Sequence, residues 1–522
     1  MMVNFNLGIP THYRNLVSIY EGMDIEHKLE DELNVEVPEG ERVIDEYWIV
    51  PGFCKVQIIE NEDNARKRYN LIEPPVGVDE LQLLNIIYND MKRTLVLKEY
   101  SMDKEKKTEI IMEVLNELIE EYAIEMHPQL LLKTLYYLFR NFIGFGPIDG
   151  MLNDPYLEDV SCDGYDIPVY VFHVRHGSMP TNVRFSKDYL DNYVLLLCQK
   201  AGKYISYANP LVDATLPDGS RLQATYGSEI TPRGSSFTIR KFRATPYTPV
   251  DLLETGTMNA TMLAYFWLLV ENKMNIMVVG ETAAGKTTTL NALMMFIPPD
   301  SKVISIEDTR EIHLIHDNWI AEVTRLSIEG QEITMYDLLR AALRQRPDYI
   351  IVGEVRGREA LTLFQAMSTG HAAYATLHAG DINQLVYRLE NEPLNVPRIM
   401  IQFLDAVVVQ SVWARRGVRK RRAIEVNEIF GIDPVNKNLL VNPLFKWDPS
   451  IDAFTQTSES KKLDKIARIM GVDTYEVVEE LARRAEFLEA LKERGIRDFS
   501  EVIEHIQSYY TNPEKTLQEV RS

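Results

Sequence analysis

Gly280-Glu-Thr-Ala-Ala-Gly-Lys286-Thr287 fits G-x-x-x-x-G-K-[ST], between the apolar run Asn275-Ile-Met-Val-Val279 and the helix-like Thr288-Thr-Leu-Asn-Ala-Leu293. A strand before the pattern and a helix after it give it a mechanical meaning. Gly280 and Gly285 let the backbone curl so that its N–H groups and the helix N-terminus face an anionic phosphate. Lys286 is placed to reach the β- and γ-phosphates and Thr287 to ligate Mg2+, while Glu281, Thr282, Ala283, Ala284 and Thr288 complete the cradle. The expected ligands are ATP and Mg2+.

Outward from this loop, strand and helix alternate. A helix is expected over 261–272, a strand over 302–306, a helix over 335–344 with Thr334 as its N-cap, and a strand over 349–352. Apolar strands separated by helices predict an α/β fold, a parallel sheet covered on both faces. Such sheets bind ligands beyond the carboxyl ends of their strands, where Glu307-Asp308 and Gly353-Glu354 fall. One carboxylate can hold Mg2+ through water while the other orients the attacking water, so Glu307 and Glu354 are candidate catalytic and metal residues. Asp348 precedes its strand and reads as a cap or turn residue. The histidines of Gly370-His371-Ala-Ala-Tyr-Ala-Thr-Leu-His378 are open to a structural or a phosphate-sensing role.

Composition narrows the class. The 522 residues exceed one ordinary core, and the 45% hydrophobic share is ample for globular domains. A net charge of −21 repels a nucleic-acid backbone and argues against a translocase on DNA or RNA. Cys54, Cys162 and Cys198 lie too far apart for a CxxC zinc pair or a disulfide framework, which suits a reducing cytoplasm. Neither a membrane-spanning run nor a signal-peptide h-region is visible, so a cytoplasmic protein is expected.

Before the loop, residues 1–40 read as a flexible arm or as a helix that folds against a partner, 41–80 as a small β meander and 81–143 as helical, with Leu115, Leu118, Ile119 and Tyr122 on one face. Short strands return over 144–248, including a reversal at Pro217-Asp218-Gly219 and a strand through Phe237 and Ile239. The P-loop domain is expected over 249–430 and a helical extension over 431–522.

The ordered motifs carry a resemblance. The P-loop, Ile306-Glu-Asp308-Thr-Arg-Glu311, Val352-Gly-Glu354-Val-Arg-Gly and Thr369-Gly-His371 to Leu377-His378-Ala-Gly are similar to the Walker A, Asp box, Walker B and His box of the secretion ATPase superfamily that drives type II secretion and type IV pili. Gly144-Phe-Gly-Pro-Ile148 and Pro217-Asp-Gly-Ser-Arg221 resemble its N-terminal domain. Arg340-Ala-Ala-Leu-Arg-Gln-Arg-Pro-Asp348 and Phe364-Gln-Ala-Met-Ser-Thr-Gly370 resemble the archaeal branch, most of all the archaellum (archaeal flagellum) ATPases. The resemblance implies a RecA-like C-terminal domain, a mixed α+β N-terminal region with a PAS-like α/β subdomain, a homohexamer, and a polytopic membrane platform protein as partner. It implies His378 near the γ-phosphate and Arg221 and Arg240 closing over the nucleotide. The four-cysteine zinc element of many type II members is missing, so no zinc is expected.

Arg415-Arg416-Gly-Val-Arg419-Lys420-Arg421-Arg422 is the strong basic cluster of an acidic chain. It fits acidic platform loops or anionic lipid, against the alternative of a solvated hairpin around Gly417. The pairs His173/His176 and His313/His316 lack the cysteine or HExxH context of a metal site.

Overall fold

The computed structural model describes residues 9–23, 29–95, 104–242, 246–325, 332–415 and 418–521. The chain divides into two compact units, Met1–Phe242 and Arg243–Ser522. Among the described residues no helix is long and apolar enough to cross a membrane.

The first unit is built on strands β1 (Glu41–Val50), β2 (Cys54–Asn61), β3 (Lys67–Ile72), β4 (Leu157–Cys162), β5 (Pro168–His173), β6 (Gly177–Arg184), β7 (Leu211–Thr215), β8 (Arg221–Thr225) and β9 (Ser236–Arg240). They run in the order β1-β2-β3-β6-β5-β4-β9-β8-β7. Tyr69 opposite Thr181 joins β3 to β6, so the meander expected over 41–80 and the domain expected over 144–248 share one sheet and one core. Helices Lys104–Glu121 and Pro128–Leu138 pack on that core, burying Leu115 and Leu118. Tyr122 lies past its helix and is exposed, donating its hydroxyl to Asp90 at 2.8 Å.

The flexible arm expected over 1–40 is corrected for its described part. Helix Arg14–Gly22 and the turn before it bury Tyr13, Leu16 and Val17 in the same core. Tyr13 donates to the buried carboxylate of Asp149 at 2.8 Å, and His12 Nε2 lies 3.2 Å from it. The stripe 13, 16, 17, 20 has helical spacing, but a helix this short is stable only through its tertiary contacts. Residues 1–8 and 24–28 of that expectation lie outside the described residues.

The second unit holds β10 (Ile276–Gly280), β11 (Val303–Glu307), β12 (Trp319–Val323), β13 (Tyr349–Val352), β14 (Ala372–Leu377), β15 (Ala406–Arg415), β16 (Val418–Ile432), β17 (Leu439–Asp448) and β18 (Ala453–Gln456). Their order is β12-β11-β13-β14-β10-β15-β16-β17-β18. The strands from β12 to β15 are parallel, and β16 to β18 continue the sheet antiparallel. Every residue of β10, β11, β13 and β14 is buried. Alternate residues enter different cores, Ile276 and Val278 one and Met277 and Val279 the other, as a sheet covered on both faces requires. The α/β expectation holds.

The expectation that 431–522 is a helical extension needs correction, because β17 and β18 belong to the sheet and helices begin only at Lys461. Pro443 hides β17 from a reading by pattern, since proline is disfavoured inside a strand. It is tolerated beside the irregularity between Val426 and Asn427 of β16. The helices that follow are part of the same unit. Phe487, Leu488 and Leu491 enter the core of Trp267 and Phe296, and Trp267 Nε1 donates to Tyr510 Oη at 2.8 Å.

Candidate functional site

Parallel strands end at one edge, so register decides what meets there. Val279 of β10 is opposite Leu377 of β14, Gly280 is opposite Gln410 of β15, and Ile306 of β11 is opposite Val352 of β13. The next residues on these strands are the phosphate loop, His378, Glu307 and Gly353-Glu354.

The loop is shaped by two glycines. A Cβ on Gly280 would stand 2.2 Å from the carbonyl oxygen of Gln410, so only glycine allows this approach. Gly285 takes φ +88° as the N-cap of helix Lys286–Met294, and no side chain caps that end. The first N–H groups of the helix are thereby left to an anion. Lys286 is buried, its Nζ donating to the carbonyl of Glu281 at 3.0 Å and to His378 Nδ1 at 3.1 Å. An ammonium only donates, so His378 Nδ1 is the acceptor and Nε2 carries the proton. That Nε2 lies 2.9 Å from Glu354 Oε1, a close contact without hydrogen-bond alignment. Burial and the charge of Lys286 hold the His378 pKa below its ordinary value, against the opposing pull of Glu354.

The two carboxylates differ. Glu307 is buried, its Oε1 accepting from the backbone N–H groups of Glu311 and Ile312 at 2.9 and 3.0 Å, while its Oε2 is buried without a partner. Burial pushes its carboxyl up to about 7 despite those two bonds. Burial also pushes Glu354 upward, but the hydrogen bond and charge of Arg356, with His378 and Lys286, outweigh it and hold the carboxyl below its ordinary value. Arg356 spans two acids, donating to Glu354 Oε2 at 2.6 Å and to Asp308 Oδ2 at 3.3 Å. Glu307 packs against Gly353, where a Cβ would stand 3.1 Å from its Cγ. Thr287 and Thr288 are half-buried at the helix start.

The structure thus gathers the loop, Lys286, Glu307, Glu354 and His378 at one edge. Asp348 accepts from Lys273 at 2.7 Å and from the Lys302 backbone at 3.0 Å, a turn residue. Arg221 and Arg240 stand opposite each other on β8 and β9 of the first unit, and Arg221 is held by Asp213 through bonds of 3.2 and 2.7 Å.

Two roles were not read from sequence. Arg356 lies inside a quoted motif, but its link to Asp308 crosses from β13 to β11. Arg421 donates Nε–H to the carbonyl of Ala283 at 3.1 Å, across 138 positions of sequence that no spacing reveals. This corrects the picture of Arg415–Arg422 as a patch free for a platform or lipid. Lys420 and Arg422 are bound to Asp452 at 2.6 and 2.8 Å, and Arg422 is buried. The side chain of Arg415, with Arg416 and Gly417, lies outside the described residues. Asp45, His173 and His176 are close enough together to share a cation, yet His173 Nδ1 already accepts from the backbone N–H groups of Arg175 and His176 at 3.1 and 3.2 Å.

A phosphate loop at the carboxyl edge of a parallel sheet, with two strand-end acids and a histidine beside its lysine, defines a P-loop protein. The sequence profile of the Type II/IV secretion system protein family matches residues 172–467, and the chain belongs to that family. It is similar to an uncharacterized protein of Methanocaldococcus jannaschii (MJ0900), with 37% identity covering 85% of each chain. A Sinorhizobium fredii protein named for conjugal transfer (TrbB) is 30% identical over 51% of this chain and 81% of that protein. Among solved structures, the Legionella pneumophila ATPase DotB is 17% identical with a TM-score of 0.40, covering 69% of this chain and 95% of that one.

Proposed function

We propose that the protein is a Mg2+-dependent ATPase that works as a homohexameric ring at the cytoplasmic membrane. In this reading it powers assembly, and rotation, of an archaeal type IV pilus-like filament, the archaellum, through a polytopic platform protein. The observation that carries the ATPase reading is the contact chain from Lys286 through His378 to Glu354, with the partnerless Oε2 of Glu307 behind it. The archaeal-type motifs Arg340–Asp348 and Phe364–Gly370 support the filament assignment.

The uncapped helix N-terminus and Lys286 bind and orient the β- and γ-phosphates. The donor set fits Mg2+, a hard cation that prefers oxygen, because Thr287 offers a hydroxyl and Glu354 and Glu307 offer carboxylates, one with a buried unused oxygen. Bound there, Mg2+ supplies charge neutralisation across the phosphate oxygens. Glu354, kept ionised, would hold Mg2+ and fixes His378; Glu307, poised near neutral pH, is suited to take the proton of the attacking water. His378, neutral with its proton on Nε2, turns Nδ1 to Lys286 and so orients the ammonium. Arg221 and Arg240 of the first unit are suited, as fixed positive charges, to stabilise the charge of the transition state.

The conjugal-transfer name of a relative favours a second reading, a secretion or adhesive-pilus ATPase with the same motor. Capture of membrane proteins from the native cell with the full-length chain separates them. An archaellum platform protein is the expected partner, and recovery of a secretion or pilus platform in its place would overturn the filament assignment.

A further inference from the structure

Arg421 lies on β16, far in sequence from every nucleotide motif. Its Nε–H nevertheless points at the loop, bonding the Ala283 carbonyl at 3.1 Å. Ala283 has φ +62°, a left-handed conformation that costs an ordinary residue free energy and needs an external hold. A guanidinium donor on that carbonyl is such a hold, because charge-assisted hydrogen bonds are the stronger kind. The same peptide plane directs the Ala284 N–H to the Glu281 carbonyl at 3.3 Å, and Glu281 is also the carbonyl that Lys286 bonds. The stem of Arg421 packs under the next residue too, since a Cβ on Gly285 would stand 3.2 Å from Arg421 Cδ. On the neighbouring strand, Gln410 is buried with both amide atoms unpartnered, and its Nε2 lies 3.9 Å from that same Cβ position. The loop therefore rests on two polar side chains of the β15–β16 hairpin, one already bonded and one with hydrogen-bonding capacity in hand.

We infer that Arg421 is a positioning residue of the phosphate loop, holding the Ala283 peptide so that the loop is shaped for a nucleoside di- or triphosphate before it binds. The inference rests on the nucleotide-site reading above. It separates Arg421 from an arginine that meets the γ-phosphate: Arg421 grips backbone of its own unit, so it acts on binding and not on the chemical step.

The test uses the full-length chain, with binding of Mg-ADP by calorimetry and steady-state ATP turnover. Arg421→Ala is expected to weaken Mg-ADP about tenfold and raise KM for ATP about tenfold, the scale of one lost hydrogen bond to a charged group, with kcat within about threefold of the parent. Arg421→Lys should recover most of the affinity, because an ammonium reaches the same carbonyl. Arg419→Ala, two residues away on the same strand, should leave both constants unchanged. Should Arg421→Ala fail to fold, Arg421→Met, which keeps the length of the stem but carries no N–H to give the Ala283 carbonyl, is read in the same way. Unchanged affinity, or a loss confined to kcat, overturns the inference. A parent protein that binds no Mg-ADP overturns the nucleotide reading instead.

Discussion

The two units carry their charged residues in opposite ways. In the second, strands β10 to β15 run parallel and end at one edge, so residues from four separate stretches, Lys286, Glu307, Glu354 and His378, are brought together there. In the first, antiparallel pairing spreads strand ends over both edges, and Arg221 and Arg240 meet only because β8 and β9 put them in register. Parallel topology collects chemistry, while antiparallel topology places single groups. The second unit should therefore fail when any member of its edge is removed, and the first should matter only through its two arginines.

The largest expected effect is that of Lys286→Ala. Removing the ammonium that contacts both the loop and His378 should lower ATP turnover by at least about a hundredfold, measured as phosphate release, with secondary structure retained. Turnover within a few-fold of the parent would break the comparison at its root. Arg240→Ala comes next. A roughly tenfold to hundredfold loss of kcat with Mg-ADP affinity kept would show that the first unit contributes a charge and not a fold. An unchanged kcat would leave the second unit chemically complete alone.

Much of the edge is legible in the sequence because the loop, both acids and His378 each follow an unbroken apolar strand. The strand tells where its last residue points. Arg356, Gln410 and Arg421 are not legible in this way, since what they touch lies on other strands. β17 is hidden by Pro443, and the N-terminal helix by its shortness. The basic cluster misleads for a related reason: charge counted along a chain does not reveal Asp452, which binds both Lys420 and Arg422 and whose carboxyl those partners hold far below the usual range. The six segments drawn from composition also fold as two units, because strand pairing between Tyr69 and Thr181 ignores the helices between them.

Glu307 sharpens the comparison through pH. Its carboxyl is raised to about 7 in the folded chain, so its protonated form is favoured by folding. The stability it contributes is fully present below its unfolded pKa and is lost as pH rises through about 7. Glu307→Gln, which cannot ionise, should therefore gain stability relative to the parent between about pH 4.5 and 8, by roughly 1–3 kcal/mol in denaturant melts. A difference that stays flat across that range would mean that Glu307 is not the strained carboxylate of the edge. The smallest effect is expected from Arg419→Glu, on an exposed residue of β16, which should leave ATP turnover within about twofold.

The account stands or falls on Glu354, where the contacts of His378 and Arg356 converge and the charge of Lys286 acts. Glu354→Gln in the full-length chain keeps the shape of the side chain and removes its charge, so Mg-ATP binding and phosphate release should be measured on the same preparation. The account predicts affinity within about threefold of the parent and turnover lower by about a hundredfold or more. Turnover at the parent's rate would contradict it.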